Sequence, residues 1–421
     1  QVFSQNLTNR PELISTKEGP ASDDDSYLGY SVAVGDITGS GETGVAVGMP
    51  RGAGLFGKLV LFTWNLTNTQ NITGSQMGAY FGYSVAVADI DGDGLDDLIV
   101  GAPLHSDWED DKGRYETGRV YIIYQKERGM ENKYRYFHTR DGKNSKSRFG
   151  LSVSGLGDIN KDKFEDFAVG APYDGPEGRG IVYIYHGSST GVREEPSQVI
   201  PAEAVSSYLT TFGFSVSGGM DMDQNEYPDI VVGAYESDTA VYLRSRPVII
   251  MDAKLTFSSE SKTISLDEKE CKLHDNTPVT CTSLNMCLEY SGIGVDKSLD
   301  FDIQYVLDSK KSKEPRMFFV SEEGRNVINQ TLKLKKGSLF CKNMYVYMKP
   351  NVRDKLSPIE AELRYSLRKE SPAVAARRRT QRSLSPILDE NAPSTQRDSI
   401  SIQKNCGKDN ICIPDLKMNI K

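Results

Sequence analysis

Before residue 245 the chain says the same thing four times. Tyr27-Leu28-Gly29-Tyr30-Ser31-Val32, Tyr80-Phe81-Gly82-Tyr83-Ser84-Val85, Arg148-Phe149-Gly150-Leu151-Ser152-Val153 and Thr211-Phe212-Gly213-Phe214-Ser215-Val216 are copies of one pattern, each followed by an aspartate. Those aspartates, Asp36, Asp89, Asp158 and Asp221, are 53, 69 and 63 residues apart, a spacing that suits the blades of a propeller or another array of small sheets. Each copy continues with a short apolar run, Val45–Gly48, Leu98–Gly101, Phe167–Gly170 and Ile230–Gly233, and then with a second alternating segment. Runs of β-branched residues of this length read as buried strands. With one outer strand added, every repeat is expected to form a four-stranded antiparallel blade, which buries its faces against its neighbours and leaves only short edges.

Oxygen-bearing side chains are spaced through the loops that follow the repeated motif. In Asp89-Ile90-Asp91-Gly92-Asp93-Gly94-Leu95-Asp96-Asp97, positions 1, 3, 5 and 9 carry carboxylates and the Leu95 carbonyl is available at position 7. Hard oxygens at this spacing suit calcium. Position 12 is Val100, inside an apolar strand, so the loop is a calcium hairpin and lacks the bidentate glutamate of an EF-hand. The third loop offers Asp158, Asn160, Asp162, the Phe164 carbonyl and Asp166; the fourth offers Asp221, Asp223, Asn225, the Tyr227 carbonyl and Asp229. In the first, Asp36 is followed by Thr38, Ser40, Glu42 and Gly44, so position 9 has no ligand and this loop is the doubtful one. These metals read as structural, since no base, nucleophile or open coordination position accompanies them. The histidines, His105, His138, His186 and His274, are scattered singly and build no catalytic constellation.

The cysteines, Cys271, Cys281, Cys287, Cys341, Cys406 and Cys412, all lie beyond the repeats and contain no C-x-x-C pair, which favours disulfides over zinc or redox chemistry. Glycosylation sequons at Asn6, Asn65, Asn71 and Asn329 point to the same secretory route. Gln1 opens on neither a basic nor an apolar leader, so a signal sequence is expected upstream of it. A net charge of −8 argues against a nucleic-acid partner. After Arg246-Pro247 the metal pattern stops and alternating segments such as Ala253–Phe257 and Asp300–Val306 read as a β-sandwich.

The motifs F/L-G-x-S-V, D-x-D-x-D-G-x-x-D and Gly101-Ala102-Pro103 or Gly170-Ala171-Pro172, with Asp24–Gly35, Arg353–Ile359 and Cys406–Cys412, resemble integrin alpha subunits from end to end. That resemblance implies an all-β chain: residues 1–247 as about four blades of a seven-bladed FG-GAP propeller, 248–405 as an Ig-like thigh sandwich, and 406–421 as the knee loop and the start of calf-1. It implies bridges Cys271–Cys281, Cys287–Cys341 and Cys406–Cys412, although four cysteines alone permit three pairings. It further implies an incomplete knee calcium site with Asp409 as a ligand. The implied function is that of a cell-surface adhesion receptor without enzymatic activity, anchored by one membrane span in full length, which pairs with a beta subunit. Tyr27, Tyr30, Tyr80 and Tyr83 match positions of the aromatic cage that receives a basic residue of that subunit. Asp24 matches the acid that binds the arginine of Arg-Gly-Asp matrix ligands. The alternatives are a secreted propeller enzyme, for which no zinc-rich catalytic domain is visible, and a calcium-dependent lectin.

Overall fold

A computed structural model describes residues 3–5, 13–17, 19–108, 113–125, 134–259, 261–322, 324–369 and 384–404, and divides the chain into two compact units, Gln1–Ser245 and Arg246–Lys421. In the first unit a two-stranded hairpin, β1 (Phe3–Gln5) and β2 (Leu13–Ser15), precedes the repeats. The first repeat forms the antiparallel sheet β3 (Val32–Gly35), β4 (Gly44–Met49), β5 (Lys58–Phe62) and β6 (Asn68–Thr73). The second forms β7 (Ser84–Ala88), β8 (Asp97–Ala102), β9 (Arg119–Gln125) and β10 (Tyr134–Asp141). The third forms β11 (Ser152–Gly157), β12 (Asp166–Ala171), β13 (Ile181–Tyr185) and β14 (Gln198–Pro201).

The fourth repeat departs from the expectation of four strands. Its sheet holds three among the described residues, β15 (Phe212–Met220), β16 (Asp229–Ala234) and β17 (Thr239–Leu243). The other repeats spend the chain after their third strand on a return strand. Here the chain runs after Leu243 into Pro247, which has no N–H to donate to a ladder, and then into the second unit.

Successive sheets pack face to face, as the alternation of their strands requires. Ala46, Leu59 and Leu61 of the first sheet meet Leu98, Val100, Tyr121 and Ile123 of the second. The other face of the second, with Ile99, Val120 and Ile122, meets Phe149, Phe167 and Val169 of the third. Ala168, Val182 and Ile184 then cover Phe212, Ile230 and Val232 of the fourth. Because side chains on a strand alternate in direction, the middle strands of the second and third sheets are apolar through their centres and each supplies two cores at once. The first strands, β3, β7, β11 and β15, adjoin one another in order.

The second unit is a sandwich of two five-stranded sheets. One is built from β18 (Val248–Phe257), β22 (Cys281–Ser291), β24 (Met317–Phe319), β26 (Phe340–Met348) and β28 (Ile387–Leu388). The other comprises β19 (Thr263–Ile264), β23 (Ser298–Leu307), β25 (Val327–Lys335), β27 (Ile359–Leu367) and β29 (Thr395–Ile402). A small pair, β20 (Cys271–Lys272) and β21 (Pro278–Val279), stands apart. Leu284, Met286, Leu288 and Tyr290 on one sheet and Phe301, Ile303, Tyr305 and Leu307 on the other fill the space between them, every second residue of each strand turned inward. Disulfides join Cys271 to Cys281 and Cys287 to Cys341, the latter pair standing directly opposite each other on β22 and β26. Asn65, Asn71 and Asn329 are exposed. Asn6, Cys406, Asp409 and Cys412 lie outside the described residues.

Candidate metal centres and aromatic cluster

Each acidic loop joins the first strand of a sheet to the second. The aspartate at position 1 folds the loop around its own carboxylate: Asp89 Oδ1 accepts from the N–H groups of Gly92 and Asp93 at 2.9 and 3.2 Å, and Oδ2 from Gly94 at 3.0 Å. Asp158 accepts from Asp162 and Lys163 in the same way, and Asp221 from Asn225 and Glu226. The tight turn needs left-handed backbone at positions 4 and 6. Gly92 and Gly94 supply it at φ 71° and 79°, whereas Lys161, Lys163, Gln224 and Glu226 adopt it at 64°, 80°, 62° and 74°. For such residues the left-handed conformation costs about 1 kcal/mol each.

Position 9 is the first residue of the second strand and ties two elements together. Asp97 accepts from Ile90 N–H at 3.1 Å and from Gln125 N–H, at the end of β9, at 2.9 Å. Asp166 does the same with Ile159 and Gly187, and Asp229 with Met222 and Ser245. All three are fully buried. Burial first, with Asp91 and Asp89 adding repulsion, pushes the Asp97 carboxyl up to about 8. Asp166 is likewise pushed up to about 8, by burial and then by Asp162 and Asp158.

The donor sets fit a hard divalent cation. Carboxylate oxygens of Asp89, Asp91 and Asp97 lie within 4.8 Å of one another, as do those of Asp221, Asp223 and Asp229. Asp223 Oδ1 is buried with no hydrogen-bond partner among the described residues, while Arg244 pairs with the other oxygen. Such clustering of acceptor-only groups is what oxygen coordination of calcium demands. The third hairpin forms no equivalent carboxylate triad, because position 3 is Asn160, whose Nδ2 donates to Asp162 Oδ2 at 2.9 Å and whose amide oxygen, which accepts from Asp162 N–H at 3.1 Å, would be the ligating atom. Bound there, the ion would neutralise the acids and cross-link the hairpin ends.

The first hairpin keeps the shape without the ligands. Gly39 and Gly41 are left-handed, and Asp36 accepts from Ser40 N–H at 3.1 Å and Gly41 N–H at 2.8 Å. At position 9 a Cβ added to Gly44 would lie 2.6 Å from Ile37 Cγ1 and 2.7 Å from the Phe62 carbonyl, so an aspartate has no room there.

The aromatic residues occupy the opposite ends of the inner strands. Tyr27, Tyr80, Arg148 and Thr211, at the head of the repeated motif, all take positive φ, between 52° and 64°. Tyr30 lies 6.3 Å from Tyr27 and 4.8 Å from Tyr83, ring centre to ring centre, and joins the two repeats. The Arg51 guanidinium sits 4.9 Å over the Tyr27 ring. Two further tyrosines, Tyr173 and Tyr235, extend the cluster beyond the residues to which the sequence points. Arg148 stacks on Tyr173 at 5.3 Å, and Phe214 meets Tyr235 at 4.5 Å. Tyr173 and Tyr235 both follow the second strand of their repeats, two residues and one residue after its V-G-A segment respectively. Asp24 is exposed at the start of the same ends, and its neighbour Asp23 pairs with Lys58 at 3.6 Å. His105 is buried nearby; desolvation, and then the Arg119 charge, hold it down at about 4, so it stays neutral.

Family models match both units: the FG-GAP repeat covers residues 81–123 and 149–185, and the integrin alpha Ig-like domain 1 covers residues 245–405. The chain belongs to the integrin alpha subunits. It is 49% identical to integrin alpha-PS2 of Drosophila melanogaster over all of its own length and 30% of that protein. It is 38% identical to integrin alpha-5 of Xenopus laevis, over 97% of this chain and 38% of the relative. With integrin alpha-V of Gallus gallus it shares 36%, over 98% and 40%. This integrin alpha chain thus spans about a third of the length of the curated relatives it matches. Integrin alpha subunits are receptors without enzymatic activity, which removes the propeller enzyme as a reading.

Proposed function

We propose that the chain is the ligand-side part of a cell-surface adhesion receptor, in which the aromatic cluster receives a basic residue of an integrin beta subunit and Asp24 binds the arginine of an Arg-Gly-Asp matrix protein. The observation that carries this reading is the packing of Tyr27, Tyr30 and Tyr83 as one aromatic surface at the strand ends remote from the acidic hairpins, with the exposed Asp24 three residues before Tyr27. Tyr27 and Tyr30 are exposed, and the Arg51 guanidinium over Tyr27 shows that such a ring face accommodates a cation. A desolvated cation on such faces gains about 2 kcal/mol. The carboxylate of Asp24 has the charge and exposure to meet a guanidinium in a charge-assisted pair.

The second, third and fourth hairpins hold structural calcium on this reading, with Asp89, Asp91, Asp93, Asp97 and the Leu95 carbonyl as the second set. Asp24→Ala in the full-length heterodimer is expected to weaken Arg-Gly-Asp binding at least about tenfold, equivalent to about 1.4 kcal/mol. Unchanged affinity with intact pairing rejects the assignment of Asp24.

A further inference from the structure

The hairpins do not stand apart from one another. Glu165, at position 8 of the third, holds both backbone groups of Asp89 in the second: its Oε2 accepts from Asp89 N–H at 3.0 Å, and its own N–H donates to the Asp89 carbonyl at 3.1 Å. Asp89 is the residue whose carboxylate opens the second ligand set. Glu165 in turn lies between Phe164 and Asp166, positions 7 and 9 of the third set. Two further contacts cross the same junction. The Phe164 ring covers Gly92, where an added Cβ would lie 2.7 Å from Phe164 Cε1, and Ser188 N–H donates to the Ile90 carbonyl at 3.1 Å.

The side-chain half of the arrangement recurs one sheet earlier, where the Asp36 carbonyl accepts instead from Gln125 Nε2 at 2.9 Å. Asp96, position 8 of the second hairpin, accepts from Asp36 N–H at 2.5 Å. At the remaining junction position 8 is Pro228, which has no acceptor side chain and only approaches Gly157, and the contact is instead Lys161 Nζ 5.8 Å from the centre of the Tyr227 ring.

We propose that Glu165 is a positioning residue that couples the third hairpin to the second, so that calcium entering either site strengthens binding at the other. The inference rests on the reading that these hairpins hold calcium. An ion that fixes Phe164 and Asp166 also fixes Glu165 and hence the backbone of Asp89, so the second site binds with less ordering left to do. The coupling is reciprocal by thermodynamic necessity. Between the third and fourth hairpins, where Pro228 replaces the acid, coupling is weaker.

The test is hydrogen exchange read by mass spectrometry on the full-length chain paired with its beta subunit, titrated from chelator into calcium, with separate midpoints for peptides spanning the second and third hairpins. Removing the third site by Asp158→Ala with Asp162→Ala is expected to move the second midpoint to at least about fivefold more calcium. In a Glu165→Ala background the same change is expected to move it less than about twofold, and Glu165→Gln, which keeps an acceptor oxygen, restores the dependence. The reciprocal experiment, Asp91→Asn with the third midpoint followed, gives the same factor and serves if the double variant fails to fold. A second midpoint that stays put when the third site is lost overturns the coupling. Hairpins whose exchange ignores calcium altogether overturn the calcium reading itself.

Discussion

Ser84 Oγ donates to the carbonyl of Gly150, 66 residues further on, at 2.8 Å. Ser31 does the same to Gly82 at 2.9 Å and Ser152 to Gly213 at 2.8 Å, so the serine of each F-G-x-S motif is bonded to the glycine of the next. The approach is possible because the second strand is bare at the crossing: a Cβ added to Gly101 would lie 2.1 Å from the Gly150 carbonyl oxygen. The repeated motif is therefore a latch between neighbouring sheets as well as a turn.

Breaking the latch has two costs of different size. Ser84→Ala removes one hydrogen bond and is expected to destabilise the propeller by about 1 kcal/mol. Gly101→Ala forces the backbones of two sheets apart and is expected to cost about 3 kcal/mol. Thermal unfolding in calcium of the full-length chain paired with the proposed beta subunit separates them; equal melting temperatures for the two variants would contradict the latch.

Backbone conformation decides the next comparison. Lys163 is held at φ 80°, so Lys163→Gly is expected to stabilise the protein by about 0.5 kcal/mol once the greater freedom of the unfolded glycine is subtracted. Gly94 has the same conformation, φ 79°, and open space where a Cβ would go, so Gly94→Ala is expected to cost about 1 kcal/mol through strain alone. Opposite shifts in unfolding midpoint are the expected result; a loss of stability in Lys163→Gly would show that its side chain matters more than its φ.

The pH dependence differs with and without metal. In the metal-free protein burial pushes the Asp97 and Asp166 carboxyls up to about 8, well above their ordinary value of 3.8. Their contribution to stability is therefore complete below 3.8 and is lost as the pH rises through about 8. In chelator the propeller should melt at a lower temperature at pH 8.5 than at pH 6, by an amount on the order of several degrees. Calcium supplies the opposing charge, so the rise in melting temperature it produces should be larger at the higher pH. Scanning calorimetry at both values checks this, and an equal or smaller rise at pH 8.5 would contradict it.

In the sandwich, Arg316 is buried against Asp308, with both Asp308 oxygens engaged at 2.8 and 2.7 Å, and its remaining donors reach the carbonyls of Asp354, Ser357 and Pro358. The guanidinium thereby pins the 354–358 loop. Arg316→Met leaves Asp308 buried without its partner and is expected to cost about 4 kcal/mol. Chemical denaturation of the chain measures it, and a cost below about 1 kcal/mol would show the clamp to be dispensable.

What the sequence discloses follows the range of the interactions. The hairpins are legible because their oxygens are spaced within nine residues, as in Asp89–Asp97, and the strands because their apolar runs are short and regular. The head of the motif is not: nothing in Tyr27, Tyr80, Arg148 or Thr211 signals the left-handed backbone that all four adopt. Nor does Glu165 declare itself, since its partner Asp89 is 76 residues away. Tyr173 and Tyr235 join the aromatic cluster only because the sheets bring the ends of β12 and β16 beside the motif. The missing return strand of the fourth repeat reflects the turn of the chain into Pro247 and beyond, where the sandwich begins.

Native mass spectrometry of the full-length chain paired with the proposed beta subunit counts bound calcium directly. Asp89→Ala, Asp158→Ala and Asp221→Ala are each expected to lower the count relative to the unaltered protein, by one ion where neighbouring sites stay filled, while Asp36→Ala leaves it unchanged. A count that none of the first three substitutions lowers would contradict the assignment of the hairpins.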